Sequence, residues 1–211
     1  MADNYLEKKF EEFKSGSRPA VRRTGASLDT LLLRTRSCRG YDKSYEVKML
    51  QLERIAGVCT KVASGRNQQV LRFRLITKGE QADTVLSNIK LGAALSELHL
   101  PFPGTEPEAF IVVCSEAEET RFVDIDLGIA LQSMRLKATE MGLASIIICA
   151  FDKEKVKREL GLPMEPLAIL AVGRGVERIE IISVKAGSDL RYYRNDGVHY
   201  VPKINFKDLL I

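Results

Sequence analysis

The stretch Thr35-Arg36-Ser37-Cys38-Arg39-Gly40-Tyr41 packs two guanidinium groups and a hydroxyl into a few residues. Arginine matches phosphate oxygens bidentately, and Ser37 adds a short hydrogen bond that suits the same anion. The stretch reads as an anion cradle, with a solvated basic loop as the plain alternative, since surface arginine is common. A second polar segment, Ser64-Gly65-Arg66-Asn67-Gln68-Gln69, offers donors and acceptors fitted to a heterocycle with a urea-like edge or to a polyol chain.

These segments need elements to hold them. Leu6, Phe10 and Phe13 share one face of a helix expected over residues 3–14, and Ser15 to Pro19 breaks it. A short helix from Ser27 through Leu33 then delivers the chain to the cradle. A longer one over Glu46 to Val62 carries Leu52, Ile55, Ala56, Cys59 and Val62 at helical spacing. Arg72 to Thr77 alternates as a strand does, and Phe110 to Cys114 is the continuous apolar run of a buried central strand. Between them Ala82 to Leu98 reads as helix, followed by a rigid loop from Pro101 to Pro107 long enough to line a site.

Asp124 to Met141 reads as the main buried helix, with Leu127, Ala130, Leu131, Met134, Ala138 and Met141 as its stripe and Gly142 as its cap. It is either the core helix or the axis of a dimer. A strand at Ser145 to Ala150, a helix capped by Asp152 and ended by Gly161, and strands at Leu167 to Val172 and Glu177 to Val184 follow. Asn195-Asp196-Gly197 marks a hairpin between Tyr192-Tyr193 and Val198 to Val201. The alternation argues for an α+β or α/β fold around one mainly antiparallel or mixed sheet. Gly173-Arg174-Gly175 lacks the third glycine and the following helix of a dinucleotide fingerprint, so a Rossmann site is rejected.

Composition narrows the function. A chain of 211 residues with 45% apolar and 28% charged residues is globular, and a net charge of +4 with both signs interspersed gives no case for nucleic acid. The local excess Arg18, Arg22, Arg23, Arg34, Arg36 and Arg39 suits a small anion or an acidic surface. Cys38, Cys59, Cys114 and Cys149 form no C-x-x-C pair, and only His99 and His199 could join them, so neither a metal nor disulfides are expected. The apolar run at Ala144 to Phe151 is too short to span a bilayer and the N-terminus lacks a signal-peptide core, which makes a reducing, cytoplasmic setting the expectation.

The cradle and the polar loop, about one helix apart, resemble the nitroreductase family, whose early segment runs R-R-S-x-R-x-F and whose next loop runs P-S-x-x-N-x-Q-P-W. Asp126-Leu127-Gly128-Ile129-Ala130-Leu131-Gln132 is similar to the family's D-x-G-x-A-x-Q helix, Cys149-Ala150-Phe151-Asp152 to its E-G-F-D, Leu160 to Pro163 to its L-G-L-P, and Pro202-Lys203 to a terminal P-K-x-R. The order of these segments over nearly the whole chain carries the resemblance. Departures stand beside it: Thr35 where the family often has Arg, Ala63 and Val70-Leu71 in place of the flanking prolines and Trp, Cys149 for Glu, and Asn205 for a basic residue.

The resemblance implies an α+β nitroreductase-like fold, helices flanking a mainly antiparallel or mixed sheet, in an intertwined homodimer with two FMN molecules at the interface. Residues 1–211 would form one FMN-binding domain, with an N-terminal helical extension at 1–26 and a C-terminal arm at 185–211. Arg36, Ser37 and Arg39, with Thr35 beside them, would meet the flavin phosphate and pyrimidine edge, and Lys203 would reach the phosphate. Ser64, Asn67 and Gln69 would come from the other subunit, and the backbone of Cys149 and Ala150 would lie near N5 and O4. With these departures the phosphate would either be held more weakly or be compensated by Arg34 or Arg191. No side chain is expected to be catalytic, because flavin N5 takes hydride from NAD(P)H and passes it to an electron-poor nitroaromatic or quinone in ping-pong fashion. The alternative is an FMN-binding store or redox sensor without nicotinamide-driven turnover.

Overall fold

A computed structural model describes residues 25–92 and 100–211. The helix expected over 3–14, Arg18, Arg22, Arg23 and His99 lie outside the described residues. Among the described residues, five α-helices and seven strands follow in the order α1 (Leu28–Arg34), α2 (Met49–Ala56), β1 (Leu71–Ile76), α3 (Glu80–Asn88), β2 (Ala109–Ser115), α4 (Arg121–Glu140), β3 (Ala144–Ile148), α5 (Lys153–Glu159), β4 (Glu165–Gly173), β5 (Arg178–Val184), β6 (Tyr193–Asn195) and β7 (Val198–Ile204). Among the described residues no helix is long and apolar enough to cross a membrane.

The strands divide between two sheets rather than sharing one. The first is antiparallel throughout, in the order β1-β2-β4-β3, and the second joins β5 parallel to β7 and β6 antiparallel to β7. The two inner strands of the first sheet, β2 and β4, carry the apolar runs Phe110 to Cys114 and Leu167 to Val172 and are buried on both faces. Side chains alternate across the sheet, so Phe110, Val112, Ile169 and Ala171 pack on one face with Val85 and Val156, which α3 and α5 carry. Ile111, Val113, Ala168 and Leu170 pack on the other with Leu52 and Ile55 of α2 and Leu131, Met134 and Ala138 of α4.

Local chemistry sets the helix ends. The Ser27 side chain accepts from Thr30 N to cap α1, Thr120 accepts from Val123 N to cap α4, and Asp152 accepts from Lys155 N to cap α5. Two helices are shorter than their periodicity suggests. The run expected over Glu46 to Val62 is α-helical only to Ala56 and continues as a 3-10 turn over Gly57–Lys61. The helix expected from Ala82 to Leu98 ends at Asn88, because Ile89 turns away to bridge Phe151 and Lys90 N donates to Ala150 O. Asp196 and Gly197 both have positive φ, 47° and 75°, which is the turn the hairpin signal anticipates between β6 and β7.

Gly173-Arg174-Gly175, discarded as a dinucleotide motif, has a packing role. A Cβ on Gly173 would lie 2.6 Å from the Tyr41 ring, and one on Gly175 would lie 2.8 Å from Ala144 Cβ. Both glycines let the segment after α1 lie flat against β4 and β3, and that segment is the cradle.

Candidate functional site

The cradle is fastened by its backbone, which leaves its cationic side chains to define a cavity. Cys38 N donates to Ser145 O, Tyr41 N to Thr105 O, Asp42 N to Arg174 O, and Val176 N to Gly40 O. Tyr41 is buried, and its hydroxyl donates back to Cys38 O at 2.8 Å. Glu177 accepts from Arg39 N and from the Arg194 guanidinium, and so neutralises charge behind the cradle rather than within it.

Beside this segment lies a cavity of about 310 Å3 whose lining includes Arg36, Arg39, Arg135 and Lys203, four cations, and, among the described residues, no carboxylate. Thr35, Ser37, Gln132, Tyr192 and His199 supply its other polar groups. The Nε atoms of Arg36, Arg39 and Arg135 and Nδ1 of His199 are buried and have no hydrogen-bond partner. A buried donor without an acceptor costs free energy that a bound oxyanion would recover. Burial lowers the pKa of Arg36, and it lowers that of Arg135 with the charge of Arg36 adding to the effect, so the site disfavours its own cations until an anion arrives. The donor set fits a phosphate group.

The side chains differ in how free they are. Thr35 lines the cavity, but its hydroxyl donates to Leu31 O at 2.7 Å and meets Thr139 Oγ1 at 2.8 Å, so it closes α1 and ties it to α4. Arg36 spends one Nη on Leu32 O at 2.6 Å. The Arg39 guanidinium lies 4.8 Å above the Tyr192 ring, which in turn stacks on His199 with centroids 5.2 Å apart. This stack fixes Arg39 with a face toward the cavity. Lys203 stands on β7, exposed at the rim.

The second polar segment is built differently. Asp126 of α4 is 6% exposed, and its Oδ1 accepts from Gly65 N at 2.7 Å. The loop it holds contains three residues other than glycine at positive φ, namely Arg66 at 53°, Asn67 at 55° and Gln69 at 50°. Ser64 Oγ accepts from Gln69 N, and Gln69 Nε2 donates to Asn67 Oδ1 at 3.0 Å. Ser64, Gln69 and Asp126 border a separate, mainly apolar cavity of about 470 Å3 against α2 and β1. Within one chain the loop and the cradle therefore face different cavities. Asp126 and Arg135 are nine residues apart on α4, which is about 13 Å of helix.

Cys149 and Ala150 follow β3 and are exposed, and Ala150 with Phe151 and Asp152 borders a third hollow of about 480 Å3 next to Asn88 and Lys90. Sequence reasoning missed Arg135, Gln132 and His199. A signal for the first two exists, because Gln132, Arg135 and Thr139 form a polar stripe beside the apolar face of α4, and that stripe meets the cradle segment. Of the two arginines offered as compensation for the departures, Arg191 pairs with Asp189 at 2.8 Å and Arg34 is exposed at the end of α1, and neither borders the cradle cavity.

Residues 32–174 match the family model described as Nitroreductase family. Among solved structures, the chain is similar to a nitroreductase family protein from Clostridium difficile 630, with 26% identity, TM-score 0.57, and coverage of 72% of this chain and 86% of that one. An FMN-dependent nitroreductase from Clostridium difficile R20291 shares 21% identity at TM-score 0.59, over 71% of this chain and 88% of its own. An FMN and NADPH-dependent nitroreductase from Sphigopyxis sp. strain HMH shares 20% identity at TM-score 0.61, over 72% and 89%. No curated protein matches the chain.

Proposed function

Because this chain belongs to the nitroreductase family, we propose that it is an FMN-dependent oxidoreductase that carries hydride from NAD(P)H to an electron-poor acceptor, a nitroaromatic or a quinone. The observation that carries this reading is the cradle cavity, where, among the described residues, four cations line one space, three arginine Nε atoms lack partners and no carboxylate intrudes. When bound, FMN supplies reversible hydride transfer at N5. Arg36, Ser37 and Lys203 hold the phosphate, and Arg39, fixed by Tyr192, offers positive charge to the pyrimidine edge. Backbone at Cys149 and Ala150 lines the approach to the reacting ring, and no side chain acts as nucleophile or acid.

In this reading residues 1–211 form one domain and the working unit is a homodimer. Ser64, Asn67 and Gln69 of the partner subunit complete each site, which accords with the loop and cradle facing separate cavities within one chain. Phe206, Leu209 and Leu210 on the C-terminal arm and Phe122 and Ile125 on α4 are exposed, and such apolar surface favours a protein partner.

Anaerobic addition of NADPH or NADH to the FMN-loaded protein tests the reading. Loss of the flavin absorbance, restored by a nitroaromatic or a quinone, is the expected result. A flavin that binds but is reduced by neither nucleotide would replace this reading with storage or redox sensing.

A further inference from the structure

We propose that Arg135, in the middle of helix α4, is a phosphate-binding residue of the cradle and replaces the C-terminal basic residue whose place Asn205 occupies. The inference rests on the FMN reading and assigns a residue to it. Asn205 does not border the cavity; its side chain is turned to the other sheet edge, where Ser183 donates to it, and its N–H donates to Val184 O at 2.9 Å. Two positions earlier, on β7, Lys203 is the only C-terminal cation that borders the cavity among the described residues.

Arg135 makes good the loss from α4. Its Nε is buried and has no partner, and among the described residues no carboxylate lies within ion-pair distance of it. Another cation, Arg36, borders the same cavity and acts on it by its charge, and each is partly stripped of water. A half-buried guanidinium that faces a second one and no acid is a poor structural element. It is a good anion ligand, because a phosphate placed between Arg36 and Arg135 accepts from both and removes their repulsion. Helix α4 fixes the height of Arg135. Met134 beside it is buried in the core, and Thr139 one turn on is bonded to Thr35, so the helix cannot rotate Arg135 out of the cavity without breaking both contacts.

A ligand role and a structural role predict different outcomes, and riboflavin, which lacks the phosphate, separates them. Dissociation constants for FMN and riboflavin are measured by flavin fluorescence on the wild type, Arg135→Gln and Arg135→Lys, with the Tm of each flavin-free protein. Arg135→Gln is expected to weaken FMN about ten- to a hundredfold, the range for losing one charge-assisted hydrogen bond. Riboflavin affinity should stay within about twofold, and the flavin-free Tm should hold or rise because a like-charge contact is gone. Arg135→Lys should recover part of the FMN affinity. Equal weakening of both flavins with a lowered Tm would make Arg135 structural, and unchanged FMN affinity would remove it from the site; either overturns the proposal. If the wild type bound neither flavin, the FMN reading itself would fail. The Tm shift produced by inorganic phosphate alone would then decide: a shift in the wild type that is lost in Arg135→Gln keeps Arg135 as an anion ligand, and no shift in the wild type overturns it.

Discussion

Replacing Asp126 by alanine should release the Ser64–Gln69 loop while leaving α4 helical. The loop keeps Arg66, Asn67 and Gln69 at positive φ, and each residue of that kind costs about 1–2 kcal/mol. Its internal bonds, Gln69 N to Ser64 Oγ at 3.3 Å and Gln69 Nε2 to Asn67 Oδ1 at 3.0 Å, are exposed to water and offset only part of that cost. The buried carboxylate of Asp126, accepting from Gly65 N at 2.7 Å, supplies the remainder. A hydrogen bond to a charged group contributes about 1.5–3 kcal/mol. Relaxation of the loop returns some of the strain, and alanine is the better helix former, so the net destabilisation should be about 1–2 kcal/mol. For a domain of this size that lowers Tm by about 2–8 °C. Asp126→Asn keeps an acceptor oxygen and should cost less. Thermal unfolding gives the global effect, and amide hydrogen exchange gives the local one, where the Gly65 N–H should exchange about five- to thirtyfold faster. Unchanged exchange at residues 64–69 in Asp126→Ala would refute the reasoning, because the clamp would then be holding nothing.

Two further outcomes follow from burial. His199 is 2% exposed, and desolvation first, then the charges of Arg39 and Arg194, hold its imidazole below the usual range against an opposing pull from Glu177. It stays neutral in the folded chain while the unfolded chain takes up a proton below about pH 6.5. The flavin-free protein should therefore lose stability as pH falls from about 7 toward the folded pKa, by at most ~1.4 kcal/mol per pH unit from this group. His199→Gln should flatten that part of the curve, and an unchanged slope would count against a neutral buried imidazole. Among the thiols, burial pushes Cys38 up to about 12 and Cys59 and Cys114 up to about 11, whereas Cys149 is exposed. An aromatic disulfide reagent near neutral pH should therefore titrate one fast thiol in the native protein. Cys149→Ser should abolish that phase, and persistence of the phase would overturn the assignment.

The cradle could be read from sequence because its cations are adjacent in the chain, and the central strands because a run such as Phe110 to Cys114 has no other economical burial. Arg135 and His199 were hidden for the opposite reason: each reaches the cavity from an element remote in sequence, and only the packing of α4 and β7 against the cradle brings them there. The polar stripe of Gln132, Arg135 and Thr139 was visible, yet a polar stripe on a helix ordinarily faces water, and nothing local says that α1 and the cradle cover this one. The early end of α3 had no local signal either, since the Ile89–Phe151 bridge that draws the chain away is tertiary. The division of seven strands into two sheets depends on β7 pairing with β5 rather than with the first sheet, a choice the alternation of apolar residues does not encode.

The central claim is that the cradle holds the phosphate of FMN. Its most direct test is the visible absorption spectrum of the protein after incubation with FMN and removal of free flavin by gel filtration. Flavin bands should be retained at about one FMN per chain, and should be lost when Arg36 and Lys203 are both replaced by Gln in a variant that still folds. A wild-type protein that emerges folded and colourless would contradict the claim.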